Sequence, residues 1–253
     1  MKTAYRTDVG RIRTVNEDSA AVRDGDDGLT IAVLADGMGG HQAGDIASRT
    51  TIDILMKLLG PLRAEMTSEE WEKELAEAIE QANAEIFGQS EQHPEYAGMG
   101  TTVVAAIADH RRLTVAHIGD SRAYMWQNSS LTQLTDDHSL VNELVKSGQI
   151  SAEEASVHPK RNVLTRALGT ERRAAADIRH TEWQTGDILL LCTDGLSNQL
   201  KEPDIIHTLK SERTLQEKAD ELVEKALQAG GDDNVTVVLI ENDGAAGEEG
   251  RPA

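Results

Sequence analysis

The chain has 253 residues, with 25 basic against 44 acidic side chains and a formal charge of −19. A polyanion of this size is repelled by nucleic acid and by anionic membrane surfaces, so neither is expected as a partner. Aromatic residues make up only 3 % of the chain, which calls for an aliphatic core, and the single cysteine, Cys192, rules out an internal disulfide and suits a reducing cytosol.

The opening residues, Met1 to Arg6, are not followed by an apolar stretch, so no signal peptide is expected. No apolar run approaches the ~20 residues of a membrane-spanning helix. A cytoplasmic monomer without membrane insertion is the expectation.

Thr3 to Asp8 reads as a first strand, followed by the polar loop Gly10 to Asp18. Ser19 to Arg23 and Leu29 to Ala35 read as strands joined by the turn Asp24-Gly25-Asp26-Asp27-Gly28, whose residues tolerate positive φ. The second of these strands is expected to end at Asp36. Three glycines follow among Gly37, Met38, Gly39 and Gly40, permitting tight turns and close approach of a ligand to the main chain. Helical periodicity then runs from Gly44 to Leu59 through Ala47, Thr51, Ile54, Leu55 and Leu58.

Thr67 and Glu70 form a capping box ahead of a second helix, with Trp71, Leu75, Ile79, Ala82 and Ile86 on its apolar face. Thr101 to Ile107 and Leu113 to Ile118 read as a hairpin ending in Gly119-Asp120-Ser121-Arg122. Arg122 to Trp126 and Ser130 to Leu134 suggest another. Residues 136–169 then carry two short helical patterns and too few apolar residues for a second core, and read as a flap.

Strands resume at Ala176 to Thr181 and Asp187 to Cys192, the latter closing in Thr193-Asp194-Gly195. Cys192 ends an apolar run and reads as an inert core residue, with no arginine where a cysteine-based phosphatase loop would need one. Pro203 to Leu209 is a short helix with proline in its first turn, and Thr214 with Glu217 caps another over Leu215, Ala219, Leu222, Val223 and Ala226. Gly231-Asp232-Asp233-Asn234 leads into the last strand, Val235 to Ile240. Residues 1–241 are read as one domain and 242–253 as a disordered tail.

Asp36, Asp120 and Asp194 each follow an apolar strand, whereas Asp18 and Asp233 each precede one. Strands entering and leaving one edge of an antiparallel sheet alternate, so all five carboxylates can share that edge. Unpaired, they would raise one another's pKa, a conflict that divalent cations remove. An oxygen-only donor set favours a hard ion such as Mg²⁺ or Mn²⁺.

Six segments carry a family resemblance: Arg13 to Asp18, Ala35 to His41, Gly98 to Thr102, Gly119 to Arg122, Thr193 to Gly195 and Gly231 to Thr236. In this order the chain resembles the PPM (PP2C-like) metal-dependent Ser/Thr protein phosphatases, in the form that opposes membrane-anchored bacterial Ser/Thr kinases. The resemblance implies an α+β fold, a four-layer α-β-β-α sandwich of two antiparallel sheets flanked by helices. It implies phosphorylated proteins, such a kinase and its targets among them, as partners. It implies Mn²⁺ or Mg²⁺ as cofactor, two core ions with room for a third, weaker one.

Under the same resemblance Asp36 would bridge two metals, the Gly37 carbonyl would bind one, and Asp194 and Asp233 would complete the protein ligands. Asp18 and Glu17 would hold metal-bound waters, Asp120 would help bind the third ion, and Arg13 would grip the substrate phosphate. A metal-activated water would then hydrolyse phosphoserine and phosphothreonine. The position after the bridging Asp-Gly, histidine in many eukaryotic relatives, is Met38, and His41 lies three residues on. The general acid is left open between His41 and a metal-bound water. In the flap, His158, Lys160 and Arg161 form a basic cluster in an acidic chain, and His158 and Arg161 are expected to contact protein substrate. A two-metal nuclease would use similar carboxylates, but the charge and the lack of a basic channel argue against it.

Overall fold

The computed structural model describes residues 1–40 and 43–244, so His41 and residues 245–253 of the expected tail lie outside the described residues. In chain order the elements are β1 (Lys2–Asp8), β2 (Asp18–Asp24), β3 (Thr30–Met38), α1 (Ala43–Leu59), α2 (Ser68–Gln92), β4 (Gly100–Thr101), β5 (Val103–Ala108) and β6 (Arg112–Ile118). They continue with β7 (Arg122–Gln127), β8 (Ser130–Gln133), α3 (Leu140–Lys146), α4 (Ala152–Ser156), β9 (Asp177–Glu182) and β10 (Ile188–Cys192). The chain then forms α5 (Asp194–Ser197), α6 (Glu202–Lys210), α7 (Leu215–Ala229) and β11 (Val235–Glu241).

One sheet runs β1-β11-β10-β7-β8 and the other β2-β3-β5-β6-β9, with β4 paired to β3; every pairing is antiparallel. Side-chain alternation assigns the layers. In β3, Ile31, Val33 and Ala35 pack with Ala47 and Leu55 of α1 and Trp71, Leu75 and Ile79 of α2. The intervening Ala32 and Leu34 point the other way and pack between the sheets with Val104, Met125, Leu189, Leu191, Val238 and Ile240. In β11, Val235, Val237 and Leu239 meet Leu222, Val223 and Ala226 of α7. Both central strands are buried on both faces, and the result is the α-β-β-α sandwich, α+β in class.

Three local differences from the sequence reading bear on the site. First, β3 does not end at Asp36. It continues through Gly37 and Met38, which pair with Thr101 and Gly100. Second, the expected strand from Thr101 to Ile107 is broken at Thr102, whose N–H donates to the Asp36 carbonyl at 2.9 Å. Third, Asp194 begins the one-turn helix α5 rather than a simple turn. At the other end, Asn242 is buried, accepts from Gly186 N and donates from its own N to the Asp187 carbonyl.

Both expected capping boxes are present, Thr67 with Glu70 and Thr214 with Glu217, and Ser151 with Glu154 adds a third at the start of α4. The flap is stitched at its root: Leu140 N donates to the Val163 carbonyl and Thr165 N to the His138 carbonyl, each at 2.8 Å.

Candidate metal centre and phosphate site

Asp18 and Asp36 lie directly opposite each other in the β2–β3 ladder. This register places two carboxylates side by side at the sheet edge. Asp194 stands at the end of β10 and Asp233 just ahead of β11, neighbouring antiparallel strands of the other sheet. Asp120 lies in the turn between β6 and β7, the connection that crosses from one sheet to the other. A cavity of about 210 Å³ is lined by Arg13, Glu17, Asp36, Gly37, Asp120, Asp194 and Asp233, with Asn162 and Leu164 contributed by the flap. Asp18 lies beside it, 7 % exposed.

Threonine hydroxyls hold the carboxylate backbone in place. Thr102 Oγ1 accepts from Asp36 N at 3.0 Å, and Thr101 Oγ1 donates to the Asp36 carbonyl at 2.8 Å. Asp18 Oδ2 accepts from the hydroxyls of Thr193 (2.9 Å), just past the end of β10, and Thr236 (2.7 Å), in β11 of the opposite sheet. Asn234 fixes the loop that carries Arg13: its Nδ2 donates to the carbonyls of Val9 (2.8 Å) and Val15 (3.0 Å), and its Oδ1 accepts from Glu17 N (2.8 Å). Arg13, half-exposed, donates from Nη2 to Asp233 Oδ2 at 2.8 Å, and no other donor of its guanidinium has a partner among the described residues. Thr102, Thr193, Asn234 and Thr236 lie in the segments that carry the family resemblance, but sequence alone assigns none of them a role, and nothing in it foretold a three-way clamp at Asn234.

The carboxylates are short of partners. Asp18 Oδ1 and Glu17 Oε1 are buried with no hydrogen bond. Burial and the neighbouring Asp194 and Asp233 push Asp18 up to about 7, against the restraint of its two threonines. Asp120 is pushed up to about 7 by burial, Asp194 and Asp137, and Asp194 to about 6 by burial and Asp233. Asp36 is held well above the carboxylate range by burial and by Asp18, Asp194, Asp120 and Asp233 together. Burial also raises Glu17. Orphaned buried oxygens, mutually repelling carboxylates and an all-oxygen donor set fit hard divalent cations.

A second group, His117, His138 and Asp177, also brings ligand atoms within 4.8 Å of one another. It already contains a cation. Arg166 Nη1 and Nη2 donate to the two Asp177 oxygens at 2.7 and 3.1 Å, and Arg166 also contacts His138 Nε2. Gly119 N donates to His138 Nδ1 at 3.1 Å, and His138 is pushed down to about 4 by burial, by His117 and by Arg166. This group staples the flap root, the two histidines buried and the Arg166–Asp177 pair exposed.

Of the flap residues, Arg161 lines a larger cleft adjoining the carboxylate cavity. His158 Nδ1 accepts from Lys160 N at 3.1 Å within its own turn. Cys192 is fully buried in β10 and its thiol is pushed up to about 12, as befits a core residue.

Fold and donor set together fit divalent cations, with one arginine, Arg13, lining the same cavity. Residues 11–230 match the protein phosphatase 2C family, and the chain belongs to that family. It is 47 % identical over 243 residues to the serine/threonine phosphatase stp of Listeria monocytogenes serotype 4b (strain F2365), covering 96 % of each chain. The structure of the S. agalactiae serine/threonine phosphatase superposes with a TM-score of 0.89 at 37 % identity, covering 94 % of this chain and 98 % of that one. The catalytic domain of the serine threonine protein phosphatase PstP, solved in complex with 2 manganese ions, gives a TM-score of 0.83 at 37 % identity, with coverage of 95 % and 97 %.

Proposed function

We propose that this protein hydrolyses phosphoserine and phosphothreonine in proteins, in a metal-dependent reaction. The observation that carries the reading is Arg13, anchored at 2.8 Å on Asp233, over a floor of carboxylates short of partners. Asp36, the Gly37 carbonyl, Asp194 and Asp233 would hold two ions, Mn²⁺ or Mg²⁺. Asp18 and Glu17 would act through water in the outer shell, and Asp120 would serve a third, weaker ion. Bound there, the cations would supply a water of lowered pKa and neutralise charge on the phosphoryl group.

The chain's own groups do the positioning. Arg13 has its second prong free to grip phosphate oxygens while Asp233 fixes its direction. Asn234 holds the Arg13 loop, and Thr101 and Thr102 hold Asp36. Among the described residues, the exposed large apolar side chains are Tyr5, Ile12, Val15, Val157 and Val163. All but Tyr5 lie on the Arg13 loop and the flap, beside the cavity, which suits a protein substrate better than a small one. The proposal extends to one phosphatase domain over residues 1–241 with the flap at 136–169, acting as a cytoplasmic monomer on a bacterial Ser/Thr kinase and its targets. No helix among the described residues is long and apolar enough to cross a membrane.

Arg13→Ala tests the phosphate role. A charged bidentate contact is worth roughly 1.5–3 kcal/mol, so KM for a phosphopeptide should rise about ten- to a hundredfold, with the Mn²⁺ titration midpoint unmoved. A shifted midpoint would assign Arg13 to the metal shell instead. Excess chelator should abolish turnover and added Mn²⁺ or Mg²⁺ restore it; full activity in chelator would refute the reading. For the flap, His158→Ala and Arg161→Ala should each lower the ratio of phosphoprotein to aryl phosphate hydrolysis. An unchanged ratio in both variants would place protein recognition elsewhere.

A further inference from the structure

Beside the phosphate site lies a cleft of about 510 Å³, and Asp120 and Asp194 line both. One wall is the flap: Val141 and Val145, four residues apart on α3, with Ala155 of α4. The facing wall is the connection from α5 to α6, with Leu200 and Lys201. Each wall therefore offers aliphatic side chains, Val141 and Val145 on one and Leu200 on the other, set among polar ones.

The polar groups of the floor are already engaged. Arg122 donates to Asp137 from Nε at 2.9 and 3.0 Å and from Nη2 at 2.6 Å, and its Nη1 donates to the Tyr124 hydroxyl at 3.0 Å. Asn142 donates to Asp136 Oδ1 and to the Asp137 carbonyl. Of the three cations in the lining, two are left over. Arg161 on the flap and Lys201 on the α5–α6 connection are exposed, and their side chains make no hydrogen bond or ion pair with any described residue. In a chain of charge −19, two cations with unpaired side chains lining one cleft are a local exception to the acidic surface.

We infer that this cleft receives the stretch of substrate chain next to the phosphoresidue, seating an aliphatic side chain between Val145 and Leu200 and an acidic one between Arg161 and Lys201. The inference rests on the phosphatase reading and deepens it: the preferred substrate is an acidic, aliphatic-flanked phosphopeptide, and part of the selectivity lies outside the flap, on the α5–α6 connection. Continuity argues for this occupant. The two cavities share Asp120 and Asp194, so a phosphate held by Arg13 above Asp36 would lie next to the cleft, with the cleft within reach of the chain that carries it. Charge complementarity adds to this, because exposed cations contribute to partner choice more than to raw affinity.

The test uses the Mn²⁺-loaded full chain and a set of phosphothreonine peptides. Leucine and aspartate are placed in turn at each of three positions on either side of the phosphoresidue, with glutamine and lysine as counterparts to the aspartate. At one register the aspartate peptide should exceed the lysine peptide about tenfold in kcat/KM, since a single well-placed charge contact is worth about one decade. In Lys201→Glu that ranking should reverse at the same register. Glu at the start of α6 suits the helix dipole, so the variant is expected to fold, and its melting temperature checks this. In Val145→Asp the advantage of the leucine peptides should be lost. If wild type and Lys201→Glu rank the peptides identically while hydrolysing them well, the cleft is not a peptide subsite. If the wild type turns over neither peptides nor p-nitrophenyl phosphate, the phosphatase reading itself fails and takes this inference with it.

Discussion

Asp36→Asn is expected to inactivate the enzyme while making its metal-free form more stable. Asp36 shares the cavity with Asp120, Asp194 and Asp233, faces Asp18 across the β2–β3 ladder, and its carboxylate oxygens accept no hydrogen bond from any described residue. As the proposed bridging ligand, it contributes to metal charge stabilisation worth several kcal/mol, so its loss should cost about a thousandfold in turnover. In the metal-free protein the same carboxylate is repelled by its neighbours, and asparagine removes that repulsion without changing shape. Differential scanning calorimetry in chelator should show a higher Tm for the variant, and Mn²⁺ should stabilise it less than it does the wild type. A variant with wild-type activity and an undiminished Mn²⁺ shift would exclude Asp36 from the centre.

The pH dependence has a definite sign. Folding raises Asp18 and Asp120 from 3.8 to about 7 and Asp194 to about 6. Below the unfolded value both states are protonated, and these groups cost nothing. As pH climbs from about 4 to about 7 the unfolded chain ionises first, the folded state binds more protons, and stability falls. His138, lowered from 6.5 to about 4, acts against them over part of the window, but the raised carboxylates outnumber it, so the metal-free protein should on balance lose Tm as pH climbs, whereas the Mn²⁺-loaded protein should not. Asp177, held down to about 2 chiefly by Arg166, acts in the opposite sense and only below the window, its contribution being lost as pH falls from about 4 towards 2. A flat Tm between pH 4.5 and 7.5 in chelator would mean that the carboxylates do not repel one another in the folded state.

The parts of this architecture that rest on local chemistry were legible in the sequence. Capping boxes at Thr67 and Thr214 mark their helices because serine or threonine followed by glutamate three residues on satisfies two orphan N–H groups at once. Strands next to aspartates were legible because a charged residue interrupts an apolar, β-branched run wherever it stands. What was not legible depends on pairing between distant segments. Nothing local says that Lys2–Asp8 pairs with Val235–Glu241, or that Thr193 and Thr236 turn their hydroxyls towards Asp18. Likewise Asp36 reads as a strand end because glycine weakens strands, yet Gly100–Thr101 pairs with Gly37–Met38 and carries β3 onward. The cleft cation Lys201 had no signal, since an exposed lysine ahead of a proline-led helix is ordinary surface.

Glycine in the Asp-Gly pairs has a different role from the one a turn would assign, and Gly195→Ala exposes it. Gly195 follows Asp194, and a Cβ built on it would lie 1.9 Å from the Asn234 carbonyl oxygen, in the residue after Asp233. Main chain approaches main chain there, and the obstacle cannot rotate away as a side chain could. Gly37 repeats the arrangement after Asp36, its Cβ falling 2.1 Å from the Gly44 carbonyl oxygen. Alanine at position 195 must push the start of β11 away from α5, and so part Asp233 from Asp194. Overpacking of this kind costs about 1–3 kcal/mol, and a displacement of about 1 Å at a reacting centre costs about a hundredfold in rate. Gly195→Ala should therefore lower Tm by several degrees and activity by about a hundredfold, with a weakened Mn²⁺ affinity as the separate readout of parted ligands. Gly88→Ala is the control: it lies within α2, its added Cβ meets nothing within 4 Å, and it should stabilise the protein by about 0.5–1 kcal/mol. If Gly195→Ala keeps wild-type Mn²⁺ affinity and turnover, the close approach does not set the spacing of Asp194 and Asp233, and that spacing must be held by the Thr193 and Thr236 hydroxyls on Asp18 alone.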